Sequence, residues 1–470
     1  MKRIIFLFIA TVTFVTSATA QGYKIDVNIN GWQDTTLILG HYFNKKMLVN
    51  DTIDLDSNGN GTFTGEEKLP GGVYIIYMPD QNFFDIIIDD EQHFQIAADK
   101  SNPVNTLTVK NNKQEAAFNK YQRFIAKQQE KAKSLQEQIK TSPEDPSVAD
   151  WKEELGSLST EVNKQWDHIT ANNPNTFLAS FITAMREVEI PDFAADKSLN
   201  DSIIQWKKYE YYKNHYFDNI DLKDDRLLRT PFFTNKLESF FTKTVFQMPD
   251  SLSKEAKRIV KLAEGNSEME KYLIQYTFNL VNESKVMGMD AAMVDLAETF
   301  YLSGKADWVD QEFIDKLQDR VSKLKPNLLG NTAPDLKLYT PNKEAYKLSE
   351  VFANYTILVF WEPDCGHCKK EIPKIKELVY DKYQDKGVKV FAVYTQFETE
   401  HWTEFIEEKQ LEEWINVYDP YNQSNFRNLY DIYSTPVIYV LDKDKNIVAK
   451  RIGAEQIPDF LDHQFNLVNK

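Results

Sequence analysis

The sequence predicts a multidomain chain in three folded parts. These are an N-terminal all-β sandwich or barrel over residues 21–110, a central all-α domain over 111–325 and a C-terminal α/β domain over 326–470. Three observations predict them. Residues 22–110 alternate apolar and polar side chains in short runs broken by Gly and Asn/Asp clusters, the period of half-buried strands. From Asn111 to Leu324 the apolar positions recur at helical spacing within Lys/Glu/Gln-rich stretches. Beyond Pro326, apolar runs of strand length alternate with helical ones, as in a mixed sheet with packed helices. A chain of 470 residues also exceeds what one core usually supports.

In the β part, Tyr23, Ile25, Val27 and Ile29 alternate with polar residues, and runs follow at Thr36–Leu39, Met47–Ile53, Val73–Met78, Phe84–Ile88 and Phe94–Ala97. Asp54-x-Asp56-x-Asn58-Gly59 begins like a calcium loop, but position twelve is Gly65 instead of Glu and the flanks read as strands, so a hairpin turn is expected. In the helical part, Phe118, Tyr121, Phe124 and Ile125 mark one amphipathic stretch, and prolines at 143, 146, 174, 191, 231 and 249 punctuate the rest. The charged stretch Lys113–Ile139 fits either an exposed helix or a coiled-coil arm. In the α/β part, Tyr355–Trp361 suits a strand buried on both faces. A helix to about Gln384, a strand Val388–Tyr394, a helix Glu400–Lys409, a strand Trp414–Tyr418 and a helix Asn425–Ile432 are expected next. A hairpin Val437–Leu441/Ile447–Arg451 and a last helix complete the domain.

Residues 1–20 read as a cleaved secretory signal peptide: Lys2 and Arg3, an apolar run Ile4–Val15, and Ala18-Thr19-Ala20 before Gln21. An uncleaved anchor is the alternative, though the run is short for a span. The full chain carries 55 Lys+Arg against 71 Asp+Glu, and removing the peptide leaves 53 against 71, a net charge of −18. Such a balance argues against nucleic acid, whose affinity rests on cations meeting phosphates. It also argues against anionic membrane surfaces.

The two cysteines of the chain are Cys365 and Cys368, a single C-x-x-C. A closed zinc site needs four ligands, and there is no second pair; His401 and His463 have no motif spacing to the first. No metal or other cofactor is expected. The pair falls where a buried strand ends and a helix begins, where unpaired N–H groups favour an anion. Cys365 is therefore the expected nucleophilic thiolate, and Cys368, one turn inward, the resolving thiol. A charged His367 would stabilise the thiolate and push the pair toward oxidant behaviour; an exposed imidazole of weak effect is the other reading. At about 100° per residue, Glu371 falls on the core-facing arc with Cys368, Ile372, Ile375 and Leu378. A carboxylate there would have a raised pKa and exchange a proton with Cys368, unless it snorkels to water at the rim. Pro373 should kink this helix. Thr435-Pro436 precedes a strand, and from the residues alone an ordinary trans proline is favoured there over a cis one.

The run Phe360-Trp361-Glu362-Pro363-Asp364-Cys365-Gly366-His367-Cys368-Lys369-Lys370-Glu371-Ile372-Pro373 resembles a thioredoxin-fold active site, and in particular that of the TlpA/ResA group of exported thiol–disulfide oxidoreductases. The resemblance covers roughly residues 326–470 and includes the lead-in Gly330-Asn331-Thr332-Ala333-Pro334-Asp335. It implies a thioredoxin-like fold, Cys365 as nucleophile, Cys368 as resolving thiol, Glu371 as active-site glutamate, and Thr435 with a cis Pro436 as the substrate-binding segment. Trp361 and His367 then stand as residues that tune the pair. Val359 occupies the place of the buried Asp of cytosolic thioredoxins. The inner dipeptide Gly366-His367 departs from the group, whose reductants often carry Glu-Pro, and is like that of protein disulfide isomerases. Residues 22–110 resemble a β domain of unknown function found ahead of thioredoxin domains in exported proteins of Bacteroidetes-type bacteria.

The expected function is thus an exported thiol–disulfide oxidoreductase in the periplasm of a Gram-negative cell. It would reduce disulfides of client proteins and be recharged by a membrane thiol donor, without spanning the membrane after cleavage. A disulfide oxidase or isomerase is the alternative within the same chemistry. A partner-binding protein with a docking thioredoxin domain is the alternative outside it. The P-x-x-x-T-x-x-C setting of a peroxidatic cysteine is absent, since Leu358 and Glu362 stand in its place.

Overall fold

The computed structural model describes residues 22–468; the expected signal peptide lies outside them. The chain divides between Thr244 and Val245 into two compact units.

The first unit opens with eight strands: β1 (Tyr23–Asn30), β2 (Thr36–Phe43), β3 (Lys46–Asp54), β4 (Asn60–Gly65), β5 (Gly72–Tyr77), β6 (Phe83–Ile88), β7 (His93–Asp99) and β8 (Thr108–Lys110). They form two four-stranded sheets, ordered β4-β1-β7-β8 and β3-β2-β5-β6. Of the two expected architectures, the sandwich is the one realised. Ile25, Val27 and Ile29 of β1 share one core with Leu37, Leu39, Ile76, Ile86 and Ile88 from the other sheet. The alternation that suggested strands is therefore the inward face of each sheet. Strands β4 and β8 were not expected. Phe63 is the one buried side chain of β4, and β8 has only three residues, so neither carries an apolar run. The Asp56 carboxylate accepts the N–H groups of Asn58 and Asn60 and closes the turn between β3 and β4, which is not the expected hairpin, since the two strands belong to different sheets.

Lys113–Thr141 is one 29-residue helix, N-capped by Asn112. It folds back on the helix Val148–Asn172, with Lys131 paired to Glu154 and Gln128 bonded to Glu161. The charged stretch is thus one arm of an antiparallel helical hairpin.

The second unit contains helices Pro249–Leu262, Ser267–Asn282, Asp290–Leu296 and Gln311–Leu324 together with a seven-stranded sheet. The strands are β9 (Lys337–Tyr339), β10 (Ala345–Lys347), β11 (Tyr355–Trp361), β12 (Val388–Tyr394), β13 (Ile415–Tyr418), β14 (Val437–Asp442) and β15 (Ile447–Lys450), ordered β10-β9-β13-β12-β11-β14-β15. β11, β12 and β13 run parallel, and β14 and β15 are antiparallel. Every side chain of β11 is buried. Ile357, Val359 and Trp361 face one core with Cys368, Ile372 and Ile375, while Leu358 and Phe360 face the other with Phe426, Tyr430 and Tyr439. Strands β9 and β10 were not expected; β10 is wholly exposed and gives no apolar signal.

The change of composition near residue 325 separates helices from sheet, but the helices after Val245 pack in the same compact unit as the sheet. Charged contacts join them. Buried Lys450 of β15 pairs with Asp290 and donates to the Asn327 carbonyl at 2.7 Å. Fully buried Asp431 pairs with both Arg320, from the helix Gln311–Leu324, and Arg451.

Candidate active site

β11 delivers its last buried residue, Trp361, beneath the loop Glu362–His367, and the helix Cys368–Lys374 begins at once. Trp361 is fully buried with its ring against Phe405, and its carbonyl accepts the Thr395 N–H at 3.0 Å. Pro373 lies inside this helix, and a π-helical turn, Ile375–Tyr380, follows directly. A proline contributes no N–H to the ladder, and the wider turn is where the expected distortion falls.

Both cysteines are free thiols: Cys365 is partly exposed and Cys368 is fully buried. The Cys365 thiol donates to the Thr435 carbonyl at 3.2 Å, and the Cys368 N–H points at the Cys365 Sγ at 3.5 Å. The Thr435–Pro436 peptide is cis, the isomer that the resemblance implies and not the trans form that the residues alone favoured. The loop it belongs to is held from below. The Tyr433 ring packs beneath the charged ends of Arg320 and Lys323, and Asp431 takes both arginines.

The two sulfurs sit in opposite electrostatic settings. Burial pushes the Cys365 thiol up, but the Cys368 N–H, the Thr435 hydroxyl, the Cys368 thiol and the His367 N–H together outweigh it. They hold Cys365 below the ordinary thiol value. Burial pushes Cys368 up to about 12; the Cys365 sulfur adds to the rise, and the Glu362 N–H and Thr435 hydroxyl oppose it. A thiolate is the nucleophilic form, so the arrangement favours attack by Cys365 and holds Cys368 protonated.

Two expectations change in detail. His367 is exposed, the second of the two readings, and its backbone N–H is among the groups that lower the Cys365 thiol. Glu371 lies on the expected helix face but only half-buried. Its Oε2 accepts the Ala454 N–H at 2.9 Å and its Oε1 lies 3.5 Å from Lys374 Nζ; no cysteine sulfur is among its partners. The helical arc gave the direction of the side chain but not the turn after β15 that supplies Ala454. Sequence reasoning assigned no role to Glu362. Its carboxylate accepts the Thr435 hydroxyl at 3.0 Å and the Gln396 amide. The available signal was an acidic side chain directly after an unbroken apolar strand. Among the described residues, no group of three or more His, Cys, Asp or Glu is placed to hold a metal ion, and no helix is long and apolar enough to cross a membrane.

The redoxin family matches residues 328–463, and two domains of unknown function, DUF4369 and DUF5106, match residues 23–118 and 156–327. The thiol-disulfide oxidoreductase ResA of Bacillus cereus is 28% identical over 137 residues, which are 28% of this chain and 76% of the relative. The thioredoxin-like protein YneN of Bacillus subtilis is 28% identical over 129 residues, 26% of this chain and 71% of the relative. Among solved structures, a domain of a possible thiol-disulfide isomerase from Cytophaga hutchinsonii is 44% identical, covering 30% of this chain and 97% of its own, with a TM-score of 0.29. A thioredoxin-like protein from Bacteroides caccae is 18% identical over 59% of this chain and 98% of its own, with a TM-score of 0.44. The chain is a TlpA/ResA-like thioredoxin-fold thiol–disulfide oxidoreductase, with its redoxin domain behind two N-terminal domains of unknown function.

Proposed function

We propose that the protein is an exported reductase of client-protein disulfides, working in the periplasm of a Gram-negative cell. The observation that carries the reading is the asymmetry of the two sulfurs: one partly exposed thiol is eased toward thiolate and its buried partner is held protonated. The Cys365 thiolate attacks one sulfur of a client disulfide. A Cys365–client bond forms, the client S–S bond breaks, and the departing client sulfur takes a proton. Cys368 then loses its proton and attacks the Cys365 sulfur, forming the Cys365–Cys368 disulfide and releasing the second client thiol. Two electrons pass from the dithiol to the client. A membrane thiol donor restores them by the same exchange run on the protein disulfide.

Thr435 and Pro436 flank Cys365 and line the place where a client segment lies against the reacting sulfur; the 3.2 Å contact of Cys365 with the Thr435 carbonyl supports this. Glu371, one turn after Cys368, exchanges the proton that Cys368 must lose. Trp361 tunes the pair as the buried floor of the loop, and His367 does so through its N–H. The exposed side chain of His367 makes the weak-effect reading of the imidazole the simpler one. The Gly366-His367 dipeptide is the observation on the side of an oxidase or isomerase.

The test uses the full chain with a disulfide-bonded protein substrate and a thiol donor. Wild type should reduce it, Cys365→Ser should not, and Cys368→Ala should accumulate a mixed disulfide through Cys365. Full activity in Cys365→Ser would leave only the reading in which the thioredoxin domain docks a partner without redox work.

A further inference from the structure

Glu362 sits between the redox pair and the loop that faces it. It follows Trp361 at the end of β11, is half-buried, and holds two groups. Its Oε1 accepts the Thr435 hydroxyl at 3.0 Å and its Oε2 accepts the Gln396 side-chain amide. The Gln396 side chain itself is exposed. A threonine hydroxyl has one proton to give. While that proton is on the Glu362 carboxylate, it is not on a cysteine sulfur. Yet the residue that carries this hydroxyl touches the redox pair, its carbonyl accepting the Cys365 thiol at 3.2 Å, and the hydroxyl turned toward either sulfur favours the thiolate. The carboxylate and the sulfurs therefore compete for one donor. The carboxylate oxygen is the stronger acceptor, because its charge sits on a small atom whereas sulfur is large and accepts weakly.

We propose that Glu362 is a positioning residue that sets the redox poise of the pair, by competing with the sulfurs of Cys365 and Cys368 for the Thr435 hydroxyl. The inference rests on the exchange chemistry above and adds a direction to it. A thiolate that must share its donor is less stable, so the dithiol is destabilised relative to the disulfide. The pair then gives its two electrons more readily. In this way the carboxylate offsets an inner dipeptide of the kind found in disulfide isomerases. Gln396 keeps the carboxylate in place by holding its other oxygen.

The experiment measures the reduction potential against glutathione and the pH profile of Cys365 alkylation, in the full chain. The variants are Glu362→Ala, Glu362→Gln, Thr435→Val and the double variant Glu362→Ala/Thr435→Val. In Glu362→Ala the freed hydroxyl turns to sulfur. The dithiol–disulfide equilibrium should move about tenfold toward dithiol, about 30 mV less negative, and the Cys365 titration should fall. Glu362→Gln, which keeps an acceptor without charge, should lie between. In the Thr435→Val background the Glu362→Ala step should move neither quantity. The proposal is overturned if Glu362→Ala leaves both quantities at wild-type values. It is overturned equally if the shift is the same size with and without the Thr435 hydroxyl, since the charge would then act on the sulfurs directly. The absolute potential of the wild type, which tests the reductase reading, is independent of these differences.

Discussion

Alkylation across pH probes the division of labour between the two sulfurs. Burial and the nearby Cys365 sulfur push Cys368 from an ordinary 9.0 up to about 12. Each pKa unit is a factor of ten in the thiolate fraction at neutral pH, so Cys368 should react with iodoacetamide about a thousandfold more slowly than a free thiol. Cys365 is held below 9.0 by the Cys368 N–H, the Thr435 hydroxyl and the His367 N–H, against its own burial. Its alkylation rate should rise through a midpoint below that of a free thiol. In the reduced full chain, one cysteine is therefore modified at pH 7, and peptide mapping places it at Cys365. In Cys365→Ser, Cys368 loses the contribution of its neighbour but not its burial, which is the larger cause. Its reaction should stay roughly a hundredfold or more below that of a free thiol until denaturant is added. Modification of Cys368 first, or of both thiols at equal rates in the folded protein, would refute the reasoning.

Three further outcomes are expected. Glu371→Gln should leave the first alkylation unchanged and slow the release of the Cys365–client mixed disulfide; an unchanged release rate would reject its proton role. Asp431→Asn removes the charge that both Arg320 and Arg451 meet. At about 1.5–3 kcal/mol for a hydrogen bond to a charged group, discounted because both arginines reach solvent, it should lower stability by about 2 kcal/mol, read as the urea midpoint of the second unit; an unmoved midpoint would reject it. In the first unit, burial pushes the Asp85 carboxyl from 3.8 up to about 6, partly opposed by the Tyr42 hydroxyl. A raised folded pKa means that the folded state holds the proton more tightly, so stability is full below pH 3.8 and is lost as pH rises through 6. The shift corresponds to at most about 3 kcal/mol; Asp85→Asn should stabilise the protein by up to that amount at pH 7.5 and by almost nothing at pH 3.5, as read by urea unfolding at both. Equal effects at the two values would contradict the assignment.

The fold was largely legible because its central elements bury regular patterns. Ile25, Val27 and Ile29 alternate since one face of β1 meets the sandwich core, and Tyr355–Trp361 is unbroken since β11 is covered on both faces. The elements that escaped, β4, β8, β9 and β10, are short strands at or near sheet edges with few buried side chains. The candidate site was legible in the same measure. The cysteine pair follows from a strand–helix junction, which is local in sequence. Thr435 was found by resemblance, because its approach to Cys365 is made by a sheet that brings positions 70 residues apart into contact. Glu362 and Asp431 were missed for a related reason. Their partners, Thr435, Gln396, Arg320 and Arg451, are set by tertiary packing and leave no spacing in the sequence. Glu371 shows the limit of helical periodicity, which placed the side chain on the correct arc while its partner Ala454 came from another element.

The measurement that bears most directly on the account is the reduction potential of the Cys365–Cys368 couple in the full chain, equilibrated with glutathione at pH 7. A reductase couple should lie close to that of thioredoxin, about −270 mV. A value of about −180 mV, that of protein disulfide isomerase, or less negative would contradict it.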